Sequence, residues 1–64
     1  MTKGEMVYEI VSNTTFSGLN ERDVQSLVRR NSKSRVEEVY AVFTKDKEHA
    51  NAYYWLLTAP TISI

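Results

Sequence analysis

Residues 36–58 read VEEVYAVFTKDKEHANAYYWLLT, and the way this stretch divides decides the fold. Val39-Tyr40-Ala41-Val42-Phe43-Thr44 is almost wholly β-branched or aromatic, the composition of a strand covered on both faces. Lys45-Asp46-Lys47-Glu48-His49 is a polar break, and Asn51 to Thr58 is a second run of strand formers. Two such runs around a short polar loop predict a β-hairpin. A rival division makes residues 36–57 one long helix, because Val36, Val39, Tyr40 and Phe43 also fit the spacing of a single helical face. The density of β-branched and aromatic side chains favours the hairpin.

The neighbouring segments extend that reading. Met6 to Val11 alternates as a strand, with Met6, Tyr8 and Ile10 on one face and Val7, Glu9 and Val11 on the other. Residues 12–18 are loop chemistry. A helix over about residues 20–31 has clear signals. Asn20 is a good N-cap, Glu21 and Asp23 place negative charge at the positive end of the dipole, and Val24, Leu27 and Val28 form an apolar stripe. Asn31 is placed to end it in the left-handed conformation. The predicted fold is α+β, one helix packed on a three-stranded, mainly antiparallel sheet in the order strand-helix-strand-strand. Residues 50–64 carry no charge and make a natural central strand that Pro60 ends; residues 59–64 are an edge strand or tail.

Sixty-four residues make one small domain, and without cysteine neither disulfides nor thiolate-held zinc can support it. Hydrophobic content of 42% with 25% charged residues speaks against disorder. Eight basic and eight acidic side chains cancel, so no global field attracts nucleic acid or anionic lipid. Residues 1–6 show no apolar run of the secretory kind, and the uncharged tail is too short to span a bilayer. A cytoplasmic protein is expected. Asn13-Thr14-Thr15 fits the glycosylation pattern, which has no meaning in that compartment.

No catalytic set can be assembled. Glu37 and Glu38 are adjacent and so diverge on a strand or a helix, and Gly4 and Gly18 are isolated. His49, Asp46 and Glu48 share one turn without a supporting shell, which makes a poor metal site. A non-enzyme without cofactor or metal is expected.

Two surfaces stand out. One helix covers one face of a sheet, so Tyr40, Val42, Tyr54 and Leu56 are expected on an open apolar face that binds a protein partner or a second copy of the chain. Arg22 and Arg29 project opposite the Val24/Leu27/Val28 stripe, with Arg30, Lys33 and Arg35 beside them, as an alternative nucleic-acid ridge. The size and composition match the style of small phage or mobile-element proteins that inhibit or regulate host enzymes.

Overall fold

The computed structural model describes residues 1–16 and 18–58, and among these there is no strand. Four helices follow in order: α1 (Lys3–Ser12), α2 (Glu21–Arg30), α3 (Lys33–Lys45) and α4 (Ala50–Thr58), with a single 3₁₀ turn at Lys47–His49. The predicted α+β sheet is therefore wrong, and so is the hairpin. The segments predicted as three strands are α1, α3 and α4, while the predicted helix is α2.

The burial pattern gives the physical reason. Met6, Val7 and Ile10 are buried on α1, Val36, Val39 and Phe43 on α3, and Ala50, Tyr53 and Leu57 on α4. The α3 and α4 sets recur every three to four residues, and Met6, Val7 and Ile10 share one helical face at i, i+1, i+4, whereas a strand would bury every second one. Strand propensity reflects how a side chain fits a half-buried pleated surface, and tertiary packing overrides it. α1 packs against each of the other three helices, and Val7 and Ile10 at its centre are fully enclosed. Leu27 and Val24 close the core from α2.

The ends of the helices are set by side chains. Thr2 and Glu5 form a reciprocal capping box at α1, and Asn20 and Asp23 form another at α2. Ser32 accepts from the Arg35 amide at 3.2 Å to start α3. Asn13 caps the end of α1 and its side-chain amide donates to the Glu9 carbonyl at 2.8 Å. In the following loop Gly18 has φ +85, a conformation that other residues rarely adopt. Asn31 does not take the left-handed conformation expected of it; it is extended, at φ −119 and ψ 140. This turns the chain directly into α3 through Ser32. The predicted role of Pro60 and the edge strand or tail at 59–64 lie outside the described residues.

The polar break at residues 45–49 is real but serves a different junction. Asp46, at φ −152 and ψ 60, interrupts the helical backbone between α3 and the 3₁₀ turn. The break also overturns the rival single long helix, since α3 and α4 are separate helices that pack against each other.

Candidate protein-interaction face

The outer faces of α3 and α4 collect exposed apolar side chains. On α3, Val42 lies outside the Val36/Val39/Phe43 stripe and is 51% exposed. On α4, Ala50, Tyr53 and Leu57 face the core, which turns Trp55 and Leu56 outward at 58% and 45% exposure. Val42 and Leu56 line one groove between the two helices, about 160 Å³ in volume, together with Arg35, Glu38, Val39 and Tyr53.

Of the four side chains expected on an open sheet face, the structure thus brings Val42 and Leu56 together and separates the other two. There is no sheet to present them. Tyr40 is half-buried against the core beside Phe43, and its hydroxyl donates to the Glu9 carboxylate on α1. That bond, with some burial, raises the Tyr40 phenol above its ordinary range. Tyr54 is half-buried under Phe16, which reaches over from the α1–α2 loop with ring centroids 5.0 Å apart. The same loop is tied to α4 by Asn51, which accepts from the Thr15 amide at 3.0 Å and donates to the Thr15 hydroxyl at 2.8 Å.

Strand alternation would place Trp55 on one face with Tyr53 and Leu57, opposite Tyr54 and Leu56. In the helix it lies across from Tyr53 and Leu57, 5.5 Å from Phe16 and 5.3 Å from Tyr54 between ring centroids. Its position was readable from the Ala50/Tyr53/Leu57 spacing once that spacing is taken as helical.

The five cationic residues of the proposed ridge also divide. Arg30 donates to the Thr58 carbonyl at 2.9 Å, and Arg35 reaches the Leu56 carbonyl at a longer 3.4 Å. Between them Asn31 donates to the Leu57 carbonyl at 2.9 Å, and the Thr58 hydroxyl donates to the Trp55 carbonyl at 2.9 Å. All four carbonyls of the last turn of α4 therefore accept from a side chain, and two of the donors carry the positive charge that a helix C-terminus favours. Arg22, Arg29 and Lys33 are exposed, and none makes an ion pair among the described residues.

Asp46, His49 and Tyr53 form a small network beside the α3–α4 junction. The His49 Nδ1 contacts both carboxylate oxygens of Asp46, at 2.7 and 2.9 Å, and the Tyr53 hydroxyl donates to one of them at 3.0 Å. The His49 bond, followed by that of Tyr53, lowers the Asp46 carboxyl; the Asp46 bond and charge raise the His49 imidazole. This is a junction brace without a nucleophile. Among the described residues no group of three or more histidine, cysteine or acidic side chains is placed to hold a metal ion.

A larger groove of about 620 Å³ lies between α1, α2 and their loop, floored by Val11, Phe16, Leu19 and Val24. Glu21 is the one ionisable side chain on its lining besides the phenol of Tyr8, so it offers no acid–base pair. No described helix is long and apolar enough to cross a membrane. Comparison with protein-family models, curated proteins and solved structures finds no match to this chain.

Proposed function

We propose that this chain is a small non-catalytic binding domain that docks a protein partner on the outer face of α3 and α4. The observation that carries the reading is the pair of exposed apolar side chains Val42 and Leu56 on one α3–α4 groove, with the exposed Trp55 next to Leu56 on α4. Tryptophan is enriched among the residues that dominate interface energetics, and truncating one typically weakens binding by 2 kcal/mol or more. A regulator or inhibitor acts through such a face without chemistry of its own. A cytoplasmic setting is compatible with a chain that has no cysteine.

The test is cross-linking and capture with the native host, using wild type beside Trp55→Ala and Leu56→Asp. Both variants are expected to stay helical by circular dichroism and to lose the captured partner by about thirtyfold in affinity. Unchanged capture by both would place the binding face elsewhere. Arg22, Arg29 and Lys33 supply the control for a nucleic-acid partner. Binding through them would weaken steeply with salt, whereas binding through the apolar face would change little.

A further inference from the structure

Resting on that reading of the α3–α4 face, we infer that its occupant is a second copy of this chain, in a two-fold pair of antiparallel α3 helices. Glu38, Val42 and Lys45 are all exposed and spaced i, i+4, i+7, so they form one stripe along α3. The groove beside that stripe, bounded by Leu56 of α4, is about 160 Å³. Small-molecule sites run from about 300 to 1,000 Å³, so this one suits a single inserted aliphatic side chain better than a ligand.

The charges select the arrangement. In a two-fold interface every contact occurs twice, so the patch must complement itself. With Val42 near the axis of an antiparallel pair, Glu38 of one copy lies beside Lys45 of the other, and the reverse pair forms by symmetry. A parallel pair would set Glu38 against Glu38 and Lys45 against Lys45, which repel. The chain has no net charge, so two copies approach without global repulsion. Val42 of each copy then enters the groove beside the other's Leu56, and both exposed side chains leave water.

The association is weak by its dimensions. A 13-residue helix is about 20 Å long and 10 Å wide. Such a footprint falls short of the roughly 800 Å² per partner of a standard interface, which points to micromolar or weaker binding.

Sedimentation equilibrium of the full chain, from roughly 10 µM to 1 mM, tests this. The wild type is expected to reach a dimer and go no further. Glu38→Lys alone and Lys45→Glu alone should each weaken the dimer about tenfold, because both pairs become repulsive. Mixing the two variants should restore association as a one-to-one heterodimer, since each opposite-charge pair is then re-formed across the axis. Circular dichroism of each variant alone checks that the helices are intact.

A mixture that associates no better than its components overturns the antiparallel pair. A wild type that stays monomeric at 1 mM, yet captures another protein through Trp55 and Leu56, overturns the second copy and leaves the docking face standing. A dimer indifferent to both Val42→Asp and Leu56→Asp overturns the face as well.

Discussion

The carboxamide of Asn31 donates at once to the carbonyl of Leu27 on its own helix and to that of Leu57 on α4, each at 2.9 Å. Its backbone carbonyl accepts from the Lys3 ammonium on α1 at 2.8 Å. It is the buried polar residue of this core, and no buried side-chain polar atom among the described residues lacks a partner. Asn31→Ala should therefore destabilise the domain by about 1–3 kcal/mol, because two enclosed carbonyls lose a donor. Urea denaturation followed by the fluorescence of Trp55, the one tryptophan, measures this directly. His49 governs a different variable. Its imidazole is raised by Asp46, so its contribution is fully present below the ordinary value of 6.5 and is lost as pH rises through the raised folded value. The Asp46 carboxyl is lowered, so its contribution is present above 3.8 and is lost as pH falls through the folded value. Stability should be greatest between these ranges and decline as pH rises above 6.5 and the imidazole loses its proton. As the chain has one histidine, His49→Gln should flatten that decline in thermal melts.

At the scale of elements, α2 was legible because its signals are local. Asn20, Asp23 and the Val24/Leu27 stripe sit within eight residues of one another and all point to a helix. α1 carried an equally local signal that the alternation of Met6 to Val11 obscured: Thr2 and Glu5 have the capping-box spacing. α3 and α4 were misread for a deeper reason. Their valines, tyrosines and tryptophan suit a strand, but a hairpin also needs a turn, and residues 45–49 contain neither glycine nor asparagine. The whole chain has two glycines and one proline, sparse punctuation for a sheet protein. The site inherited the same error. Strand alternation put Tyr40 with Val42 and Tyr54 with Leu56, whereas a two-residue step on a helix carries the second member to a different face. Gly4 gives this assignment a direct check. It lies inside α1, and a Cβ added there would meet nothing within 4 Å. Gly4→Ala should stabilise the domain by about 0.5 kcal/mol through its better helix propensity. A denaturation midpoint that fails to rise would count against a helix that includes residue 4.

For the whole molecule, a chain of 64 residues encloses little, and its marginal stability depends on every element being in place. The core is shared by all four helices, with Phe43 of α3 edge-on to Tyr53 of α4 at 6.2 Å between centroids and α1 packed against each of the other three. The consequence of the Asn31 junction appears in the order of opening. Lys3 holds the Asn31 carbonyl while the Asn31 amide holds Leu57, so the first turn of α1 and the last turn of α4 are fastened to one residue between α2 and α3. Neither end can detach without exposing a buried group that serves the other. Fraying of the first turn of α1 and the last turn of α4 is opposed by this shared clasp. Native-state hydrogen exchange should then give the amides of α1 and α4 the same opening free energy, equal to that of global unfolding. In Asn31→Ala the two helices should uncouple, with α4 exchanging ahead of α1.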